Sequence, residues 1–285
     1  MIFDTDLSVT SLALLGMLFG AIIGSFLNVV IIRLPLILRA EWTNEAKLFL
    51  DMEPTEDNKL SLSIPRSRCP DCGTQLKAVH NIPILSYCFL RGRCSNCNKL
   101  ISVQYPIIEL LSAFITTYLL ITYGLSEKAL FSLIFTYSVI VLAVIDGREK
   151  ILPDQITLPL VWVGLIASLF GHWSNPVSAI IGAVLGYLSL WSVMHLFKWA
   201  TDKEAMGYGD FKLNAAIGAW LGWQMVPSVI LISSFLGALI GLCAIAFCGR
   251  DRSSPFAFGP YLCLAGWVAM EWGDQLTYLF SYLSL

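Results

Sequence analysis

Two aspartates, Asp146 and Asp210, each lie where a long apolar run meets a short polar segment. Asp210 closes the sequence Gly207-Tyr208-Gly209-Asp210, just before another apolar stretch. An ionisable residue at that depth is a functional hypothesis by default. Two close carboxyl groups cannot both hold a negative charge, so one can serve as base while the other serves as acid. The pair predicts activation of water for attack on an amide, the chemistry of an intramembrane aspartic protease.

The acidic residues also have simpler explanations. Asp146 can be a helix-terminal charge paired with Arg148, and Asp154 can be the N-cap or first-turn anion of the helix that follows it. Glu109, within an apolar run, can pair with an arginine or line a cavity. Asp210 is harder to explain by packing, because the two glycines before it allow backbone conformations or close approaches that a side chain would forbid.

Eight cysteines form two groups. Two Cys-x-x-Cys hooks, Cys69 with Cys72 and Cys94 with Cys97, are separated by 21 residues in a polar segment. This spacing is typical of four-thiolate zinc sites, so we predict a structural zinc ion. Two disulfides or a redox pair are the alternatives, and a reducing cytosol argues against disulfides. Cys88 lies outside this scheme; three further cysteines are interpreted as small packing residues in or beside apolar helices: Cys243, Cys248 and Cys263.

The remaining sequence must position these groups in a membrane. Hydrophobic residues make up 56% of the 285-residue chain and charged residues 13%, which predicts an all-α polytopic membrane protein. Apolar runs of spanning length predict eight transmembrane helices, the fourth and sixth of them short. They lie near 11–32, 105–123, 128–145, 155–171, 176–198, 211–223, 226–247 and 258–280. Glycines repeated every four residues within three of these runs predict close helix contacts.

The distribution of polar and basic residues predicts three parts and an orientation. Residues 1–33 form the first transmembrane helix, 34–104 a cytoplasmic zinc-ribbon-like insert, and 105–285 the aspartic protease bundle. With the amino end outside, Lys128 alone of the 18 lysines and arginines falls on the outer side, as the positive-inside rule favours. Asp146 and Asp210 then lie at the cytoplasmic ends of their helices. No block of like charge indicates nucleic acid as a partner.

Several short segments, in order along almost the whole chain, resemble the bacterial type IV prepilin peptidases. They are Gly-Ser-Phe-Leu-Asn-Val at 24–29, Arg-Leu-Pro at 33–35, the two cysteine hooks, 81–87, 91–94, Tyr-Pro at 105–106 with Glu109, 145–154, 207–212 and Phe-Gly-Pro-Tyr at 258–261. The resemblance implies that Asp146 and Asp210 are the catalytic pair and that Gly207 and Gly209 complete the Gly-x-Gly-Asp signature. One departure is the segment 253–257, where the family often has a Pro-Ile-Pro run.

The resemblance also implies a substrate and a second activity. Enzymes of this family remove the basic leader of type IV prepilins or pseudopilins after a glycine, on the cytoplasmic side of the inner membrane. They then methylate the new amino end, usually a phenylalanine, with S-adenosylmethionine. Gly92, in Arg91-Gly92-Arg93, is our candidate for backbone contact with this cofactor, although it can equally form a tight turn that presents Cys94 to zinc.

Two other classes of protein fit parts of the sequence. A transporter also places carboxylates in membrane helices, but the internal repeats and broken helices typical of transporters are not evident. A non-catalytic membrane scaffold with a zinc ribbon would leave Asp210 and its glycines without a role.

Overall fold

The part of the chain that the structure describes is mainly helical. The computed structural model describes residues 8–53, 60–69, 71–76, 79, 82–203, 206–249 and 256–283. Pro70 of the first hook, Asn81 and the segment 253–255 therefore lie outside the described residues. Nine helices are present in these ranges: α1 (Val9–Phe49), α2 (Leu85–Phe89), α3 (Gln104–Tyr123), α4 (Glu127–Glu149), α5 (Asp154–Ser168), α6 (Pro176–Thr201), α7 (Tyr208–Leu221), α8 (Val226–Cys248) and α9 (Gly259–Leu283). The prediction of an all-α protein is confirmed.

Five of these helices are long and apolar enough to cross a membrane: α1, α3, α4, α6 and α8. The predicted fourth and sixth spans are α5 and α7, with 15 and 14 residues, and both are short as expected. The prediction of a polytopic membrane protein is therefore confirmed, while the count of eight spans stays a prediction.

Helix α1 is longer than the sequence pattern predicts. The predicted helix ends at Ile32 and the predicted first domain at Arg33, whereas α1 continues to Phe49. Its 41 residues correspond to about 60 Å, roughly twice the thickness of a bilayer core. Pro35 lies inside the helix without ending it. The segment beyond it contains many strong helix formers, which favour continuation after the apolar run has ended.

The chain forms two compact units, Met1–Tyr137 and Ser138–Leu285, called here the N-terminal and C-terminal units. In the N-terminal unit, α1 packs along α3 through its repeated glycines. A Cβ atom at Gly16 would lie 2.6 Å from the Cα of Thr117, and one at Gly24 would lie 2.8 Å from the Cα of Glu109. Only glycine allows this backbone approach, so the predicted helix contact is confirmed for α1.

In the C-terminal unit, α7 is the central helix and packs against α5, α6 and α9. Gly182 of α6 and Gly218 of α7 face each other so closely that neither position has room for a side chain. Asn214 donates to the carbonyl of Gly186 at 2.8 Å, and the Trp220 indole donates to the carbonyl of Leu160 at 2.9 Å. These contacts fix the helix whose first turn carries Asp210.

Candidate active site and metal centre

Asp146 lies near the carboxyl end of α4 and is buried, with 6% of its surface exposed. Its Oδ2 accepts a hydrogen bond of 3.0 Å from the backbone N–H of Gly259, the first residue of α9. A helix amino terminus presents free N–H groups and a partial positive charge, which stabilise a carboxylate. Asp146 is therefore a buried acid near the end of its helix that accepts a hydrogen bond from the start of another helix.

Asp210 lies in the first turn of α7 and is also buried, with 8% of its surface exposed. Its Oδ1 is shielded from solvent and has no hydrogen-bond partner among the described residues. A buried carboxyl oxygen without a hydrogen-bond partner costs free energy of folding. A catalytic role is one explanation for keeping such a group. The hydrogen-bond environments of the two aspartates therefore differ.

The two carboxyl groups are close enough to interact electrostatically. Both also act on the thiol of Cys263, which is 2% exposed in α9. Cys263, interpreted from the sequence as a packing residue, is thus buried near both acids. The fold brings together two aspartates that are 64 positions apart in the chain.

The two glycines before Asp210 have different surroundings. A Cβ atom at Gly209 would lie 2.8 Å from the Cβ of Leu152, so a side chain there would displace the segment between α4 and α5. A Cβ atom at Gly207 would have ordinary contact distance, 3.9 Å, to Oδ2 of Asp210. Gly209 therefore permits close packing, whereas Gly207, the N-cap of α7, leaves space beside the carboxylate.

Asp154 begins α5, in agreement with the first-turn role expected from the sequence. Its two carboxylate oxygens accept hydrogen bonds of 2.8 and 2.7 Å from the ammonium group of Lys212, which lies on α7 two residues after Asp210. This partly exposed ion pair connects the starts of α5 and α7.

The cysteine hooks share one backbone design. The first hook comprises residues 68–75 and the second 93–100, and each is closed by an antiparallel bridge, from Arg68 to Gln75 and from Arg93 to Leu100. In each hook the N–H of the first cysteine donates to the carbonyl five residues later at 2.9 Å. The ammonium group of Lys99 in the second hook reaches Asp71 in the first at 2.7 Å.

The four sulfur atoms have the spacing that a tetrahedral metal requires. All lie within 4.8 Å of one another, with 3.8 Å between the sulfurs of Cys69 and Cys97 and 3.9 Å between those of Cys72 and Cys94. Tetrahedral zinc with bonds of about 2.3 Å implies sulfur separations of about 3.8 Å, whereas a disulfide requires about 2.05 Å. All four cysteines are free thiols. The cluster can therefore hold a metal ion.

The environment of the hooks favours the thiolate at Cys72 and Cys94. At Cys97 a backbone hydrogen bond with Lys99 lowers the pKa, but burial and the three neighbouring cysteines outweigh it and raise the thiol pKa to about 11. Hydrogen bonds with the side chain and backbone of Thr74 lower the pKa of the Cys72 thiol to about 6. Hydrogen bonds with the backbone of Cys97 and Asn96 also lower the pKa of Cys94. Thiolates are the form of cysteine that binds metal, so these contacts suit a metal centre.

Gly92 is buried and lies in the left-handed region, with φ of +65°, immediately before the second hook. A Cβ atom there would lie 2.9 Å from the ring of Tyr87. The N–H of Gly92 donates to the carbonyl of Tyr87, and its carbonyl accepts from the N–H of Ile101, both at 2.8 Å. These contacts favour the tight-turn alternative over an open backbone site for the cofactor.

Glu109 lies within α3 and is 7% exposed. Its Oε2 accepts a hydrogen bond of 2.7 Å from the N–H of Ile84, the N-cap of α2 in the insert. The partner that the sequence left open is thus a backbone group of the insert, and this bond fastens α2 to a membrane helix.

Gly259 is the residue at this site that sequence reasoning did not single out. It occurs in the segment noted at 258–261, where Gly followed by Pro at a helix start is a recognisable signal. Only the tertiary structure reveals that its N–H meets Asp146, which lies 113 residues earlier.

Comparison with known proteins supports the membrane peptidase class defined by this fold and acidic pair. Residues 18–123 match the family described as the bacterial Peptidase A24 N-terminal domain, and residues 133–242 match the type IV leader peptidase family. No solved structure matches the chain.

Curated relatives cover nearly the whole chain. A prepilin leader peptidase/N-methyltransferase of Pseudomonas putida is 47% identical over 262 residues, which cover 92% of this chain and 91% of the relative. A protein with the same name from Aeromonas hydrophila is 47% identical, and the matched region covers 93% of each chain. One from Legionella pneumophila is 43% identical, and the matched region covers 91% of each chain. The chain belongs to the type IV leader peptidase family, which confirms the resemblance found in the sequence.

Proposed function

We propose that this chain cleaves the basic leader of type IV prepilins or pseudopilins after a glycine and N-methylates the new amino-terminal residue, usually phenylalanine. The names of its relatives support both activities. We place the reaction on the cytoplasmic side of the bacterial inner membrane, with the amino end of the chain in the periplasm. The distribution of lysine and arginine supports this orientation.

The observation that carries the peptidase proposal is the buried pair of interacting carboxyl groups, one of which has an oxygen without a hydrogen-bond partner among the described residues. The N–H of Gly259 can only donate, so it suits Asp146 as a carboxylate. Lys150 also lies close enough to interact electrostatically with Asp146. The Asp210 carboxyl group also receives a backbone hydrogen bond from Gly207, but its Oδ1 has no hydrogen-bond partner among the described residues and can carry the proton of the pair. We therefore assign Asp146 as base and Asp210 as acid.

The reaction then follows from these two roles. Asp146 removes a proton from water as the water oxygen bonds to the scissile carbonyl carbon, and Asp210 gives its proton to the carbonyl oxygen. In the collapse of the tetrahedral intermediate, the C–N bond breaks and the leaving amine takes the proton held by Asp146. The hydroxyl that formed from the carbonyl oxygen returns its proton to Asp210. The products are a leader with a new carboxyl end and a pilin with a new amine, and no covalent enzyme intermediate is required.

The membrane helps to align this reaction. A prepilin has an apolar helix directly after the scissile bond, and the bilayer confines that helix beside the enzyme. Confinement lowers the entropic cost of alignment. The space that Gly207 leaves beside Asp210 suits a substrate backbone whose residue before the cut is glycine.

We propose that Cys69, Cys72, Cys94 and Cys97 hold one zinc ion. Four thiolates fill a tetrahedral site and leave no position for water, so the ion cross-links the two hooks rather than acting on substrate. The insert has little core of its own: within the hooks, the described residues that are buried are two of the cysteines and none of the larger apolar side chains. A metal cross-link compensates for this.

We place methyl transfer on the zinc-bearing insert and the adjoining surface. S-adenosylmethionine supplies an activated methyl group when bound, and the protein must align it with a neutral amine. Gly92 does not fit a direct cofactor contact, because Tyr87 occupies the space beside its Cα. We assign it instead to the turn that positions Cys94.

Mass spectrometry of a prepilin incubated with purified protein tests the proposal, with and without S-adenosylmethionine. Asp146→Asn and Asp210→Asn should each lower the cleavage rate by ~10²–10⁴-fold, since each removes a proton carrier with little change of shape. Asp154→Asn is the matched control and should lose far less, because its partner is Lys212 rather than the acidic pair. Substantial cleavage by either of the first two variants would refute the mechanism, and an intact prepilin with the unaltered chain would favour a transporter or a scaffold.

A further inference from the structure

A cavity of about 320 Å³ lies in the N-terminal unit, at the end of the apolar part of α1. This volume is at the lower end of the range of small-molecule sites, ~300–1,000 Å³. Seven residues from α1 and the insert line the cavity: Val29, Arg33, Leu62, Ser63, Arg66, Ser67 and Leu76.

Hydrogen bonds fix the segments of α1 and the insert that line this cavity. Arg33 of α1 donates through Nη1 to the carbonyls of Ser61 and Leu62 at 3.0 and 3.1 Å. The hydroxyl of Ser61 accepts from the N–H of Ile64 at 2.9 Å. On the other side, the N–H of Leu76 donates to the carbonyl of Ser67 at 2.8 Å. The cavity is therefore built from a hydrogen-bonded insert segment that is fixed to a membrane helix.

The lining combines positive charge with apolar surface. Arg33 and Arg66 contribute two guanidinium groups, the serines contribute two hydroxyls, and none of the described lining residues carries a carboxylate. Guanidinium groups bind phosphate and carboxylate oxygens through paired hydrogen bonds. The apolar lining residues suit a ligand that joins an anionic group to a hydrocarbon part.

The position of the cavity identifies the source of such a ligand. Arg33 directly follows the apolar stretch of α1, which is long enough to span a bilayer. Arginines at this boundary attract anionic lipids. We propose that the cavity binds the phosphate headgroup of an anionic phospholipid and thereby fastens the insert to the membrane surface. This assignment depends on the membrane placement of α1 and not on the peptidase or methyltransferase activity.

S-adenosylmethionine matches the cavity less well. At neutral pH it carries a sulfonium and an ammonium group against one carboxylate, so its net charge is positive. Two arginines, with no acidic residue in the part of the lining that the structure describes, would repel that charge.

Native mass spectrometry of the full chain in detergent tests this proposal with phosphatidylglycerol and phosphatidylcholine as probes. The unaltered chain should retain phosphatidylglycerol and not phosphatidylcholine. Arg66→Gln should weaken phosphatidylglycerol binding about fivefold, the effect of one surface arginine on an anionic lipid. The matched control is Arg68→Gln, which removes the same charge two residues away but does not line the cavity, and it should retain binding. Arg66 is the better test position because Arg33 also holds the insert backbone.

Thermal unfolding in the presence of soluble probes distinguishes the possible ligands. Phosphatidylglycerol should raise the unfolding temperature of the unaltered chain, while inorganic phosphate and S-adenosylmethionine at equal concentration should not. Equal losses of lipid from Arg66→Gln and Arg68→Gln would indicate diffuse surface charge and overturn the site. Protection by inorganic phosphate alone would indicate a free-anion site, and Arg66-dependent protection by S-adenosylmethionine would indicate a cofactor site; each result would also overturn the proposal.

Discussion

Gly259→Ala is the most direct test of how α9 positions Asp146. The added Cβ atom would lie 2.7 Å from Oδ2 of Asp146 and 3.0 Å from its Cγ, whereas ordinary contact begins near 3.4 Å. The carboxylate would have to retreat by about 0.7 Å. The N–H···O distance, now 3.0 Å, would then exceed the usual range of ~2.7–3.2 Å.

Loss of this hydrogen bond sets the expected magnitude. A hydrogen bond to a charged group contributes about 1.5–3 kcal/mol, which corresponds to roughly 10- to 150-fold in rate if the bond also stabilises the transition state. We therefore expect cleavage to slow by about two orders of magnitude at most. Methylation of a synthetic pilin that is already cut should continue, because its proposed machinery lies elsewhere.

The assay measures initial rates of prepilin cleavage by mass spectrometry, together with thermal unfolding of each variant. Gly147→Ala is the matched control: its Cβ atom would lie at an ordinary distance, 3.8 Å, from Pro260, although it is adjacent to Asp146. It should cleave at nearly the unaltered rate. A folded Gly259→Ala variant that cleaves at the unaltered rate would refute the positioning role, as would equal losses in the two variants.

Three further predictions concern the insert. Elemental analysis should find about one zinc per chain in the unaltered protein. Serine substitution of any one hook cysteine should remove this zinc, whereas Cys88→Ser should not. Absence of metal from protein purified without chelators would contradict the zinc assignment. Because the pKa of Cys72 is lowered to about 6, its thiolate is present above that pH and is lost as the pH falls through it. Because zinc competes with protons for the same sulfur atoms, bound zinc should be stable at neutral pH and released only below the pH at which the metal-free Cys72 thiol titrates, as a colorimetric chelator can follow. Release of the zinc already at neutral pH would be the contrary result. Gly92→Ala should lower the zinc content and the unfolding temperature, and should lower methylation more than cleavage. The added methyl group would meet Tyr87, and a left-handed backbone costs a residue with a side chain about 1–2 kcal/mol. Loss of methylation with full zinc content would instead support contact between Gly92 and the cofactor.

The amino-acid sequence determined the helical membrane architecture because hydrophobic length and glycine spacing are local properties. The predicted start of α6 at Pro176 and of α8 at Val226 agrees with the structure, since apolar runs there are bounded by clear start signals. The predicted end of α1 was too early, because helix propensity continues the helix after hydrophobicity has stopped. The hook cysteines were also recognisable, since a four-thiolate site has a local spacing rule.

The tertiary structure decided which groups meet. Gly92 shows this within the insert: its turn or cofactor role was open in the sequence, and the ring of Tyr87 beside it favours the turn. Asp146 and Asp210 were identifiable as candidates, but their unequal environments depend on Gly259, which is remote from both in the chain. A hydrogen bond between residues 113 positions apart depends on helix packing, and a single sequence holds no local pattern for it. Composition and spacing therefore predicted the helical architecture and the candidate residues, whereas long-range packing decided how the two acids differ.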